Sequence, residues 1–151
     1  SLENSDLVFE NNSIYFSNNK NEFYSIDART GAIKWAQSIN SSLRPTIIEN
    51  LIFTVSNEGY LFIIDDPTGN IIRITDVFKN FKDKFEIKPI GFIYAKNKIY
   101  VSLSNGRLVT INSSTGIQEN ITKINNSKIS RPYILNNSMY LIKNNALAKI
   151  E

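Results

Sequence analysis

The sequence predicts an all-β fold assembled from four copies of one small antiparallel unit. Three observations carry this: a seven-residue segment recurs four times without gaps, short runs rich in Ile, Val, Phe and Tyr alternate with turn-forming residues, and helical periodicity is almost absent. The segment reads Asn21-Glu22-Phe23-Tyr24-Ser25-Ile26-Asp27, then Gly59-Tyr60-Leu61-Phe62-Ile63-Ile64-Asp65, Gly106-Arg107-Leu108-Val109-Thr110-Ile111-Asn112 and Asn145-Ala146-Leu147-Ala148-Lys149-Ile150-Glu151. Its third and sixth places are always apolar, and its last is acidic or Asn. The sixth-place isoleucines are 38, 47 and 39 residues apart. A period of roughly 20–50 residues marks a stacked or radial array of one supersecondary unit.

The elements of the unit follow in order. A basic-Pro pair stands before each of the last three units, as Arg44-Pro45, Lys88-Pro89 and Arg131-Pro132. Pro at the start of a strand costs no ladder bond. Next come Ser13–Ser17, Leu51–Val55, Lys98–Ser102 and Ser138–Ile142, short β-branched and aromatic runs that read as strands. Asn105-Gly106 then predicts a two-residue type I′ hairpin turn, with Glu58-Gly59 a weaker version. The recurring segment is the following strand. Asp27, Asp65 and Asn112 end it, and Thr30-Gly31, Thr68-Gly69 and Thr115-Gly116 begin three residues later. There the Asp or Asn side chain accepts turn N–H bonds while Gly31, Gly69 and Gly116 take the left-handed conformation. A last strand follows each turn, except in the fourth unit, where Glu151 occupies the Asp27 place. Four antiparallel strands in about 40 residues is the size of a propeller blade. The expectation is therefore a partial β-propeller, a single body over 1–151, with blades near 5–40, 43–78, 87–124 and 130–151. The last blade is incomplete.

Composition bounds the chemistry. With 42% apolar and 21% charged residues, the 151-residue chain is globular. It has no Cys and no His. That excludes disulfides, thiolate sites, serine–histidine triads and histidine-held zinc. Its 17 basic residues are scattered and its net charge is +3, so phosphate tracking along nucleic acid is not expected. No apolar run is long enough to span a membrane, and no targeting leader is expected within these residues. The 24 Ile and 21 Asn read as a compositionally biased genome, and the N-x-S/T triplets as chance.

The residues also carry a family resemblance. Asp27-Ala28-Arg29-Thr30-Gly31-Ala32-Ile33-Lys34-Trp35 resembles the PQQ-type, quinoprotein-like propeller repeat, whose consensus runs D-G-x-L-Y-A-L-D-A-x-T-G-K-x-x-W; Glu58-Gly59 and Asn105-Gly106 resemble its beginning. The tryptophan persists only as Trp35, with Arg73 and Asn120 at the equivalent places. Most of the tryptophan girdle of the family's enzymes is thus missing. The resemblance implies one of two branches. The quinoprotein dehydrogenases bind PQQ and calcium. The non-enzymatic BamB-like scaffolds work in the periplasm, in the machinery that assembles outer-membrane β-barrels. Lack of His, Cys and paired acids favours the scaffold, with no cofactor, a lipid anchor outside these residues, and protein partners. The resemblance also implies about eight blades, so the chain reads as the C-terminal half of a longer protein. Its uncovered end faces would be buried by the absent half or by a second copy. A propeller taking a small anion or polysaccharide in its channel is the alternative within the binding class.

The candidate residues follow from these readings. Arg44, Lys88 and Arg131 precede the innermost strands and would gather near the channel, to hold an anion or an acidic partner, or to pair with nearby turn carboxylates and carbonyls. The stretch 79–87 is an inter-blade insertion. Phe78, just before it, and Phe81 and Phe85 within it fall at helical spacing among Lys79, Lys82, Asp83 and Lys84. It reads as a short helix or loop pinning its phenylalanines on the adjacent blade, or as a partner loop in which Phe78, Phe81, Lys82 and Phe85 make contact. Asp27, Asp65 and Asn112 are turn caps. Asp65-Asp66 is not spaced for acid–base work. Trp35 is an inter-blade packing residue, and Tyr15, Phe53, Tyr100 and Tyr140, which repeat in phase, belong to cores or blade interfaces. No catalytic, cofactor or metal residue is expected.

Overall fold

The computed structural model describes residues 1–151. It is all-β, with one short 3-10 turn at Lys84–Glu86 as its sole helix. There are four antiparallel sheets. The first joins β1 (Val8–Glu10), β2 (Ser13–Asn18), β3 (Glu22–Asp27) and β4 (Ile33–Gln37). The second joins β5 (Thr46–Ile48), β6 (Leu51–Val55), β7 (Tyr60–Asp65) and β8 (Ile71–Asp76). The third joins β9 (Pro89–Ala95), β10 (Lys98–Leu103), β11 (Arg107–Asn112) and β12 (Gln118–Lys123). The fourth has three strands, β13 (Tyr133–Leu135), β14 (Ser138–Lys143) and β15 (Ala146–Ile150). Strands pair in sequence order throughout, the simple meander expected from the repeat. Even the irregularities repeat: the ladders to β4, β8 and β12 each slip beside the sixth-place isoleucine, at Ser25/Ile26, Ile63/Ile64 and Thr110/Ile111.

The chain divides into two compact units, Ser1–Asp76 and Val77–Glu151. Unit 1 holds the first two sheets, and its core joins them: Val8, Tyr15, Phe23, Trp35 and Ile39 cluster with Ile52 and Ile64, with Ile47 and Phe62 packed on the cluster. Unit 2 holds the other two, with Ile99, Val101, Leu103, Val109, Ile111, Ile129 and Leu141 buried. Alternation along each strand supplies these residues, since side chains at i and i+2 share a face.

Turn chemistry explains the asparagines and corrects one expectation. The type I′ hairpins are made by residue pairs with positive φ at both places: Asn11-Asn12 (52° and 59°), Lys96-Asn97 (51° and 63°), Asn136-Asn137 (51° and 63°) and Asn144-Asn145 (50° and 60°). Among residues with a Cβ, Asn tolerates this region best. Asn105-Gly106 does not form such a turn, because only Gly106 has positive φ (79°). Gly106 N–H donates to Leu103 O at 3.0 Å, and Gly59 N–H to Ser56 O at 2.9 Å. These longer loops, with a single left-handed glycine, match a type I turn closed by a glycine bulge.

Candidate functional site

The three Asp/Asn–Thr–Gly turns are built alike. Asp27 Oδ1 accepts the backbone N–H of Arg29 (2.8 Å) and Thr30 (3.0 Å), and Asn112 Oδ1 accepts those of Ser114 (2.9 Å) and Thr115 (3.0 Å). Asp65 Oδ2 accepts the N–H of Thr68 (3.2 Å) and its hydroxyl (2.5 Å). Gly31, Gly69 and Gly116 each donate to the carbonyl of the capping residue at 2.8 Å. All three capping side chains are thus used by their own turns. The backbone donors of Thr30 and Arg29 hold the Asp27 carboxyl below its ordinary range.

Asp66, beside one of these caps, has a different role that its sequence context does not show. It is buried, at 5% exposure. Its backbone N–H donates to Asn50 O at 2.9 Å, and its carbonyl accepts the Trp35 indole N–H at 2.7 Å. Its carboxylate accepts the Tyr15 hydroxyl on one oxygen and the Asn11 amide, at 3.4 Å, on the other. Burial, then the bond to Asp66, pushes the Tyr15 phenol well above its ordinary range. Trp35 stacks on Phe23 with centroids 5.7 Å apart and planes 14° apart, and its ring lies over Gly69, where a Cβ would come within 2.5 Å of it. Gln37 Nε2 donates to Gly69 O at 2.5 Å. The repeated turn of the second sheet is thereby clamped to β2 and β4 of the first. Trp35 is an inter-sheet packing residue. Of the in-phase aromatics, Tyr15 and Phe53 are buried and Tyr100 and Tyr140 half-buried.

The insertion is not one helix. A turn at Phe78–Phe81, closed by Phe81 N–H to Phe78 O at 2.9 Å, is followed by the 3-10 turn. Phe78 is buried at 1%, Phe81 is half-buried, and Phe85 is 100% exposed. The three rings therefore do not share a face, and the helical spacing misleads because the backbone between them is irregular. Phe85 stands among the exposed Lys82, Asp83, Lys84, Glu86 and Lys88.

Arg44, Lys88 and Arg131 are all exposed, each beside a buried Pro. They are not in equivalent register. Ile48, Ala95 and Leu135 each end the first strand of their sheet, opposite Leu51, Lys98 and Ser138. Counting back, Arg44 and Arg131 lie four residues before that end and Lys88 seven, because β9 is longer. Gly91 is the counterpart of the two arginines. Within unit 2, Arg131 packs its Cβ on Gly91, where a glycine Cβ would come within 2.3 Å, and sets its guanidinium 4.3 Å over the Tyr133 ring. No group of three or more carboxylates is placed to hold a metal ion, and no helix is long and apolar enough to cross a membrane.

Known proteins can now be compared. A family model described as outer membrane protein assembly factor BamB matches residues 2–75. Among curated proteins no sequence matches significantly. Among solved structures, BamB from Moraxella catarrhalis superposes with a TM-score of 0.79 at 13% identity, over 96% of this chain and 41% of that one. The computationally designed Ika4 protein gives 0.78 at 12% identity, over 95% of this chain and 88% of that one. The quinohemoprotein alcohol dehydrogenase from Comamonas testosteroni gives 0.67 at 16% identity, over 81% and 21%. At such identities the likeness shows the fold, a partial β-propeller whose last blade has three strands. The chain spans about two fifths of the BamB structure.

Proposed function

We propose that this chain, whose repeats belong to the PQQ-like, BamB-like family, is a non-enzymatic protein-interaction scaffold serving the assembly of outer-membrane β-barrels. The carrying observation is the loop between β8 and β9. It presents a wholly exposed Phe85 among the exposed Lys82, Asp83, Lys84, Glu86 and Lys88. An exposed aromatic costs free energy in water and is the kind of anchor that dominates interfaces once seated in a partner's pocket, with surrounding charge guiding the approach. The partner is therefore a protein with an apolar notch and a rim that carries both signs of charge. Phe81 and Lys82 border the anchor, and Phe78 supports the loop from beneath.

On this reading the protein works in the periplasm, held to the outer membrane by a lipid on a segment outside these residues. The end sheets offer a second contact. Phe9 and Ile33 of the first sheet are 66% and 60% exposed, and Leu135 and Leu147 of the fourth 62% and 68%. Further blades or a second copy would cover them. Arg44, Lys88 and Arg131 contribute separate charges to a partner surface, since their registers differ. Binding of purified barrel-assembly machinery to the wild type and to Phe85→Ala tests the proposal. A dissociation constant at or below the micromolar range that rises at least about tenfold in the variant supports it. If PQQ with calcium shifts the melting temperature and the visible absorbance while the machinery does not bind, the dehydrogenase reading replaces it.

A further inference from the structure

Charge is divided unevenly between the two units. Val77–Glu151 carries 12 of the 17 basic residues and 4 of the 14 acidic ones, a net charge of +8, whereas Ser1–Asp76 carries −5. Such asymmetry between halves marks a body that meets a polyanion or a charged surface. The basic residues of unit 2 are scattered in sequence, but the fold gathers five of them at one end of its sheets. Arg107 opens β11 opposite Lys123, the last residue of β12. The linker after β12 turns across this end: Ile124 N–H donates to Gly106 O at 2.9 Å, and Arg107 Nη1 donates to Asn125 O at 3.0 Å. Lys143, the last residue of β14, donates from Nζ to Ile124 O at 3.3 Å. Asn125 Nδ2 donates to Asn144 Oδ1 at 3.2 Å, and Ser130 N–H to Ile142 O at 3.0 Å. The linker is thus tied down on both sides of Lys128, with Arg131 next to the second tie.

No carboxylate pairs with these cations. From Ile99 to Ile150 the only acidic residue is Glu119, which lies at the opposite end of the third sheet, paired with Lys98 at 2.8 Å. Asp83 and Glu86 belong to the Phe85 loop. The contacts that the five make are to neutral groups: Arg107 and Lys143 to carbonyls, and Arg131 to the face of the Tyr133 ring at 4.3 Å. Lys123, Lys128 and Arg131 are exposed. Like charges gathered without partners repel one another, and an anionic surface relieves that repulsion.

We propose that this end of unit 2 binds an anionic lipid surface directly. Three features favour lipid over other polyanions. Lysine, a point charge on a flexible stem, suits a diffuse charged surface and is depleted in specific protein interfaces. The Tyr133 ring is covered by the Arg131 guanidinium, so it is not offered to a nucleic-acid base. No helix stands at this end to enter a major groove. The choice of lipid also rests on the reading above that the protein works beside a membrane; the gathering of cations does not.

Co-sedimentation of the whole chain with vesicles tests the site. The chain binds mixed phosphatidylcholine–phosphatidylglycerol vesicles at low ionic strength and does not bind pure phosphatidylcholine. Salt releases it as the Debye length shrinks from about 30 Å at 0.01 M to about 3 Å at 1 M. Each cation at an anionic leaflet strengthens binding about fivefold, so Lys123→Gln with Lys128→Gln weakens it by at least about tenfold. Arg29→Gln with Lys149→Gln removes the same charge elsewhere and weakens it by less than about threefold. No binding to the anionic vesicles, or equal loss in the two double variants, overturns the proposal. So does tighter binding of a single-stranded RNA or a duplex DNA than of the vesicles. Loss of barrel-assembly machinery binding in the Lys123→Gln, Lys128→Gln variant, with no vesicle binding by the wild type, assigns the patch to a protein instead and also overturns it. The scaffold reading fails separately: if vesicles are not bound but the machinery is, with affinity lost in Phe85→Ala, the scaffold stands and the lipid surface falls.

Discussion

Gly31 and Gly69 offer a controlled measurement of how tightly the first two sheets are joined. Both sit in the Thr-Gly turn, both donate to the capping residue's carbonyl at 2.8 Å, and their φ values are +76° and +77°. They differ in surroundings: a Cβ on Gly31 meets nothing within 4 Å, whereas a Cβ on Gly69 comes within 2.5 Å of the Trp35 ring. Gly31→Ala therefore carries only the left-handed backbone cost, about 1–2 kcal/mol. Gly69→Ala carries the same cost plus overpacking against a ring that is stacked on Phe23 and tied to Asp66, about 1–3 kcal/mol more. The expected totals are about 1–2 and about 2–5 kcal/mol. Urea denaturation of both variants reads the difference directly. In a Trp35→Ala background the excess at Gly69 falls toward the Gly31 value, because the two ring carbons that the new Cβ meets at 2.5 Å are gone. Equal destabilisation by the two alanines in the wild-type background would refute the reasoning that Trp35 clamps the neighbouring turn.

Further outcomes follow from the same geometry. Tyr15→Phe removes the hydroxyl from a buried carboxylate and lowers stability by about 1.5–3 kcal/mol in the same denaturation assay. The folded Tyr15 phenol is raised above its usual value of 10.0, so its contribution to stability is complete below that pH and declines as pH rises above it; Tyr15→Phe removes that part of the alkaline slope. Asp27 is lowered from 3.8 in the folded state, so its contribution is present above that pH and is lost as pH falls through the folded value. Asp27→Asn removes that acid-side loss, measured as a flatter stability profile below pH ~4. Phe85→Ala leaves stability within about 0.5 kcal/mol of wild type, since the ring is fully exposed. Sedimentation at micromolar concentration shows concentration-dependent association, reduced by Leu147→Asp; a stable monomer contradicts cover of the end sheets by a second copy.

Much of the architecture can be read from the chain because each repeated residue answers a local demand. Asp27, Asp65 and Asn112 must accept turn N–H groups, and Gly31, Gly69 and Gly116 must adopt positive φ, so their spacing marks every unit. The alternating apolar residues mark which face of each strand is buried. Where the demand is not local, the residues say less. Asp66 looks like a second turn carboxylate beside Asp65, and only the approach of Tyr15, 51 positions away, reveals its buried role. The shared basic-Pro dipeptide suggests one ring of cations, but the longer β9 carries Lys88 three residues out of register. The phenylalanine spacing of the insertion admits a short helix or a loop, and the chain takes the loop: spacing is informative only where the backbone is regular, and here Phe78 and Phe85 reach opposite extremes of exposure. The abundant Asn, readable as genomic bias, also includes the residues that fold the two-residue hairpins.

The most direct test of the scaffold account is the equilibrium affinity of purified barrel-assembly machinery for the wild-type chain and for Phe85→Ala, measured side by side at physiological salt. The account predicts binding at or below the micromolar range that weakens by at least about tenfold when the exposed ring is removed. No binding by the wild type, or equal binding by both, would contradict it.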